Sequence, residues 1–214
     1  MSRRGAAVLI TVVLAAGLSG VAQAQSGSQF SWSYDAGLMH STAVRLLDTR
    51  PSGIATGGAG FAAIPCAGIS GLWEYEGLVV GARSDLAVEL TTPRYEVFLG
   101  GLAGYRFGWG NWRVQVAAEL GEHLLWRVGG GEYQHTDDSA LLPFAGASID
   151  VDHANGVRPG HVGLSAFIRQ DLEQRALAPT AVVDDENEDV HFTFQGDYRV
   201  GGTAIGLALH LTTN

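Results

Sequence analysis

A chain of 214 residues is long enough for one domain, and 22 carboxylates against 13 basic residues leave it with a formal charge of -9. That balance excludes a nucleic-acid binder, which needs a basic stripe along the phosphate track. Thirty glycines without a triplet period exclude a collagen.

Residues 1–24 read as a secretory signal peptide, and residues 25–214 as the mature domain. Arg3 and Arg4 precede an apolar run from Ala6 to about Leu18, and Ala22-Gln23-Ala24 supplies a small-x-small cleavage site. Ser2-Arg3-Arg4 has the look of a twin-arginine signal, a route for folded cargo, but general secretion fits better. No cysteine stands at the cleavage site to carry a lipid anchor. Removing the segment leaves eleven arginines against the same 22 carboxylates, a charge of -11. The lone Cys66 has no intramolecular disulfide partner and reads as a small apolar residue.

Beyond residue 24 no apolar run approaches the eighteen or so residues of a spanning helix. Any passage through a membrane must be made by strands. Phe30 to His40 alternates, with Phe30, Trp32, Tyr34, Ala36 and Leu38 on one face. Ser41 to Pro65 has no sustained alternation and reads as an external loop. Cys66 to Tyr75 is a second strand, turned at Glu76-Gly77 into Leu78 to Leu90. Thr91-Thr92-Pro93 breaks that ladder.

Arg94 to Trp126 is the most regular stretch. It places Tyr95, Val97, Leu99, Ala103, Tyr105 and Phe107 on one face and Arg94, Glu96, Phe98, Leu102 and Arg106 on the other. A two-residue turn at Trp109-Gly110 pairs Phe107 with Trp112 and keeps the apolar faces together. The same register sets Arg106 opposite Arg113, a repulsive pair unless carboxylates intervene, with Glu74, Glu76 and Asp35 the expected suppliers. Both strands run to about fourteen residues, far beyond the five or six of a globular sheet. Arg127 to Ser139 is a loop. Ala140 to Val151 is a sixth strand, with Pro143 expected at its start or at a bulge. Asp152 to Gly160 is a turn and His161 to Leu172 a seventh strand. Glu173 to about Asp197 is a long connection with a strand extension around His191 to Gln195, and Arg199 to Leu211 is the eighth strand.

Eight strands with short connections after the second, fourth and sixth, and long ones after the first, fifth and seventh, match an outer-membrane barrel with both termini on the periplasmic side. Only Thr91-Thr92-Pro93 is short where a long loop is expected. Phe30, Trp32, Trp73, Tyr75, Tyr105, Phe107 and Trp112 fall at the periplasmic strand ends as one girdle, and Tyr95 and Trp126 begin the other. On these features, rather than on a sequence motif, the chain from about Phe30 to Leu211 resembles the eight-stranded outer-membrane β-barrel proteins of the OmpA and OmpX type. The resemblance implies an all-β, closed, antiparallel, up-and-down transmembrane barrel in the cell outer membrane. Its partners would be outer-membrane lipids, lipopolysaccharide, the barrel assembly machinery and a surface ligand at the external loops. The chain ends Leu211-Thr212-Thr213-Asn214 rather than on the usual aromatic residue, while Ile205, Leu207, Leu209 and Leu211 keep the alternation.

Arg83, Asp85, Glu89, Glu96, Arg106, Arg113, Glu119, His123 and Arg169 all fall on the inward face. An eight-stranded interior is about filled by its side chains, so these charges are expected to pair across a closed lumen. A proton-linked gate at His123 and Glu96 is the functional counterpart. No catalytic, cofactor or metal residues are assigned. The barrels that modify lipid A use a His with a Ser at the membrane edge, whereas His161 and Ser165, four strand residues apart, would lie about 13 Å from each other. The run Asp184 to Asp189, with His135, Asp137 and Asp138, reads as solvated loop and matches no calcium loop. A soluble periplasmic lipocalin-like carrier shares the strand count and the signal, and Gly71-Leu72-Trp73 bears a faint likeness to that family's Gly-x-Trp, but such a carrier needs an apolar cavity. Detergent-free lysis separates the two: the membrane reading requires the protein to sediment with the envelope, and recovery in the soluble periplasm would refute it.

Overall fold

A computed structural model describes residues 28–48, 63–89, 94–126, 139–154, 160–177 and 196–213. Within them lie β1 (Ser28–Ser41), β2 (Val44–Asp48), β3 (Ile64–Tyr75), β4 (Leu78–Glu89), β5 (Arg94–Trp109), β6 (Trp112–Trp126), β7 (Ser139–Ala154), β8 (His161–Asp171), β9 (Arg175–Leu177), β10 (Gly196–Val200) and β11 (Thr203–Thr213). No helix among these residues is long and apolar enough to cross a membrane.

Eight strands close into an antiparallel barrel in the order β1-β11-β8-β7-β6-β5-β4-β3, and β1 pairs with both β11 and β3 to complete the ring. Closure follows from the peptide group itself. In hydrocarbon an unpaired N–H or C=O costs several kcal/mol, so a sheet spanning a membrane can have no free edge. The side-chain period then sorts the residues by face. Leu120 and Leu209 leave about two thirds of their surface exposed, whereas Glu96, His123 and Arg169 on the alternate face are almost wholly buried. Apolar outside and charged inside is the reverse of a carrier's cavity, which removes the lipocalin reading.

The girdles form as expected. Phe30 meets Trp32 with centroids 5.2 Å apart, Trp73 meets Tyr75 at 6.2 Å and Tyr105 meets Phe107 at 4.8 Å near the turn end. Tyr95 and Trp126 meet at 5.5 Å near the other end. The flat rings share the level at which hydrocarbon gives way to headgroups.

Glu76 and Gly77 both have positive φ, 50° and 83°, the pattern of a type I′ turn, and Tyr75 pairs with Leu78 as the sequence implies. The second hairpin differs from expectation. Its loop is Gly110-Asn111, not Trp109-Gly110, and the ladder runs on to Trp109 opposite Trp112. Gly110 at φ 61° is the first of the two loop residues, and Asn111 stays at negative φ, which is the type II′ arrangement. Gly in the first loop position decides the register. The slip is two residues, so every side chain keeps its face while its partner changes: Arg106 stands opposite Gln115, and Arg113 opposite Gly108.

Three further differences lie at the outer end and in β7. Within the stretch expected to be loop, Val44–Asp48 is a strand that pairs with β10, and β10 pairs with β9, giving a separate three-stranded sheet. The last strand of the sequence reading is accordingly two, β10 and β11, parted at Gly201-Gly202, while His191 to Gln195 lies outside the described residues. β7 runs through Ala154, beyond the turn expected from Asp152. Pro143 is its fifth residue rather than its first, and is tolerated because register with β8 begins only at Phe144 opposite Asp171, where the Leu172 N–H still donates to the Pro143 carbonyl at 2.8 Å.

The face assignment is testable by substitution. Leu120→Arg, on the outward face of β6, should destabilise the barrel by about 2–4 kcal/mol, while Trp109→Arg at the turn should cost about 0–1 kcal/mol. A bilayer unfolding titration in which the two variants lose equal stability would overturn the assignment.

Candidate functional site

The inward faces of the eight strands carry groups of polar contacts with apolar clusters between them. Near the turn end Arg106 donates to Glu74 at 2.5 Å and to Gln115 at 2.6 Å, and Gln115 in turn donates to Asp150 at 3.0 Å. Arg113 lies 3.5 Å from Asp152. Arg106 thus takes the carboxylate expected from the sequence, but Arg113 does not: its partner comes from β7 rather than from Glu74, Glu76 or Asp35. The two-residue slip of the hairpin moves Arg113 from the level of Arg106 to that of Gly108, and the separate register of β6 with β7 sets it opposite Asp152. Where β1 meets β11, His210 Nδ1 is 2.7 Å from Asp35, and its Nε2 is 2.9 Å from the Thr212 hydroxyl.

The middle of the lumen is held by two arginines. Arg169 donates through Nε to Glu119 at 2.7 Å and through Nη2 to Asp85 at 2.5 Å. Arg83 donates through Nε to Asp85 at 2.8 Å and lies 3.1 Å from Asp35. Arg83 and Asp85 are neighbours on one face of β4, but Arg169 lies two strands from Glu119 and four from Asp85, and Arg83 two from Asp35, so no local sequence signal marks those pairs. The guanidinium of Arg169 also sits over Phe167 and Phe98, 4.4 Å and 4.8 Å from the ring centroids. Phe167 has that position because Gly206 across the ladder has no side chain; a Cβ there would fall 2.1 Å from the ring. The gap beside Arg83 and Arg169 is too narrow for a water-sized sphere.

Above this layer His123 stacks on Phe98 at 3.9 Å and an interplanar angle of 13°. Its Nδ1 is 2.9 Å from Asp171 and its Nε2 3.4 Å from Glu96, and Arg94 holds Glu96 at 2.9 Å and Glu89 at 3.3 Å. Leu125, Leu142, Val200, Ala43 and Ala140 form an apolar cluster.

Every one of the nine inward charges read from the sequence lies inside. Asp171, Asp150, Asp152 and the pairing of His210 were missed, although period two from Arg169 reaches Asp171 and period two from Ala140 reaches the other two aspartates. His161 and Ser165 share a face of β8 but stand opposite Thr212 and Ala208, and do not come together. Among the described residues no group of His, Cys, Asp or Glu could hold a metal ion. The acidic run at Asp184 to Asp189 lies outside them, as do His135, Asp137 and Asp138.

No family model matches the chain, and no curated protein matches it. Among solved structures it is similar to Neisserial surface protein A, with TM-score 0.57 and 12% identity over 88% of this chain and 99% of that one. The N-terminal β-barrel domain of Pseudomonas aeruginosa OprF gives TM-score 0.41 and 10% identity, covering 86% and 99%, and Ail of Yersinia pestis gives 0.37 and 10%, covering 87% and 99%. At such identities the likeness to the first of these bears on the fold alone. By fold the chain is a closed, antiparallel eight-stranded β-barrel, as expected, and shares that architecture with the Neisserial surface protein.

The partner assignment makes a quantitative claim. A double-mutant cycle on Glu74→Ala and Arg106→Ala should return a coupling of about 1–3 kcal/mol, whereas Glu74→Ala and Arg113→Ala should add to within about 0.5 kcal/mol. The opposite ranking in an unfolding titration would restore the register expected from sequence.

Proposed function

We propose that this protein is a small outer-membrane barrel whose lumen is closed by its own charges, and which serves as a structural element and a surface-binding scaffold rather than as an enzyme. The observation that carries the reading is Arg169, held between Asp85 and Glu119 and covered by Phe98 and Phe167 at mid-lumen. A guanidinium has five N–H donors in a fixed plane and cannot be discharged near neutral pH, so a buried carboxylate pair and ring faces immobilise it. A barrel filled this way has no path for solutes and spends no residue of its middle layer on open chemistry. What remains free to meet other molecules is the outer end, where the β2-β10-β9 sheet stands above the barrel.

The partners that fit are the lipids and lipopolysaccharide around the apolar wall, the barrel assembly machinery during insertion, and a surface ligand at the extracellular end. Support for the lipid contacts comes from the outward leucines and the two girdles; support for the outer-end contact comes from the extra sheet, which closure of the barrel does not require.

Planar-bilayer recording tests the central claim. The wild-type barrel should pass no steady current, and sustained open-channel conductance would refute a closed lumen. Arg169→Ala should cost about 3–5 kcal/mol, because it leaves Arg83 as the one guanidinium shared by the buried Asp85 and Glu119. An unfolding midpoint unchanged by that substitution would show that the middle layer does not hold the barrel.

A further inference from the structure

A carboxylate faces outward within the apolar band. Glu122 shares a face of β6 with Leu120, Leu124 and Trp126, while His123 on the alternate face is wholly buried. Its neighbours in the ladder are Leu99 on β5 and Pro143 on β7. Trp126, in the outer girdle, stands four residues farther along the strand. At ~3.4 Å per residue and a tilt of ~35–45°, Glu122 lies about 10 Å below the level of that ring. Extension of the side chain toward the headgroups recovers only part of the depth. Among the described residues the carboxylate has no hydrogen-bond or ion-pair partner.

Beside Glu122 the wall parts. The Leu172 N–H donates to the Pro143 carbonyl at 2.8 Å, and Pro143 has no N–H to return the bond. Above that pair, among the described residues, β7 is paired only with β6, and the chain leaving β8 pairs through β9 with β10. Behind the parting the wholly buried cluster of Leu125, Leu142 and Val200 shuts the interior, so the notch faces outward only.

A carboxylate in hydrocarbon is costly and calls for a partner. When ionised it can only accept hydrogen bonds, so the partner must carry donors below the headgroups. The chains of glycerophospholipids begin at ester carbonyls, which accept. Lipid A differs, because its acyl chains carry amide N–H and hydroxyl groups just beneath the sugars, while its phosphates stay at the level of the girdle. A second copy of this chain fits less well, since Gln170 and Thr203, outward polar groups near the same level, are already spent. Thr203 Oγ1 donates to Gln170 Oε1 at 2.6 Å, and Gln170 Nε2 donates to the carbonyls of Asp171 at 3.0 Å and Gly202 at 3.1 Å.

We propose that Glu122 and the notch at Pro143 and Leu172 seat a lipid A molecule of lipopolysaccharide in the outer leaflet. Its amide and hydroxyl groups donate to the carboxylate, and its chains run down the wall past Leu120, where the small Ala145 opposite leaves room. The proposal rests on lipopolysaccharide being a partner of the wall, and narrows that partner to one place.

Photo-crosslinking on the full refolded barrel tests this, in phosphatidylglycerol nanodiscs prepared with and without purified lipopolysaccharide. Benzoylphenylalanine replaces either Leu172 at the notch or Leu38 on β1, at the far side of the barrel. The Leu172 position should capture lipopolysaccharide about fivefold more than the Leu38 position, and Glu122→Leu should remove that excess. Equal capture at the two positions, or an excess that survives Glu122→Leu, would overturn the seat while leaving lipopolysaccharide as a partner of the wall. Capture at neither position would overturn both. A Leu172 adduct to a second barrel in place of lipid would overturn the seat in favour of a dimer. The comparison of the two positions with Glu122 in place decides the matter even where Glu122→Leu fails to fold.

Discussion

Hydrocarbon offers a peptide group nothing to bond to, and from that single constraint the rest of the molecule descends. A sheet in lipid must close; a closed sheet of eight strands has an interior only wide enough for side chains; and those side chains are screened from the bilayer by the wall that encloses them. The usual relation between sequence and burial is therefore inverted. Leu120, Leu209 and Ile205 are the exposed residues, and Asp35, Glu96, Arg83 and Arg169 are the core. An interior made of charges has to be satisfied pair by pair, since one unmatched ion inside costs more than several good contacts return. That accounts for the shared carboxylates: Asp85 serves both Arg83 and Arg169, and Glu119 reaches the same two.

The periodicity of the chain exposed most of this architecture, because a strand buried on one side writes its orientation into every second residue. The faces of β1, β5, β6 and β8 were legible residue by residue, as were the two girdles. What period two does not encode is which residue of the next strand lies opposite. A slip of two at the Gly110-Asn111 turn leaves each face intact and changes every partner across the hairpin, so the carboxylate of Arg113 is expected among Glu74, Glu76 and Asp35 when it is Asp152. The clue lay in the turn: Gly110 as the first loop residue gives the II′ geometry, while a loop starting at Trp109 would have forced an aromatic residue to positive φ.

The lumen contacts were illegible for a different reason. Arg169 and Asp85 are on strands that do not touch, and no spacing in the chain relates them; only the curvature of the closed wall brings them together. The outer sheet was hidden by its brevity. β2 has five residues and β9 three, too few for a periodic signal, and both acquire strand geometry from pairing with β10 rather than from their own sequence.

The ring is joined by its first and last strands. Tyr34 lies opposite Leu211, and inside that seam Asp35 takes His210, 175 residues away along the chain. A barrel sealed there stays an open sheet with two hungry edges until its final segment has been made and delivered, so assembly is governed by the slowest, most distant contact in the molecule. Once sealed, the seam is indistinguishable in pairing from any other, and Ser28 and Thr213 sit at the same end of neighbouring strands. The wall therefore has no structural beginning: linking those termini and cutting the chain at one of the outer connections would give the same circle of pairings in a different order of arrival, with a different strand left to wait for last.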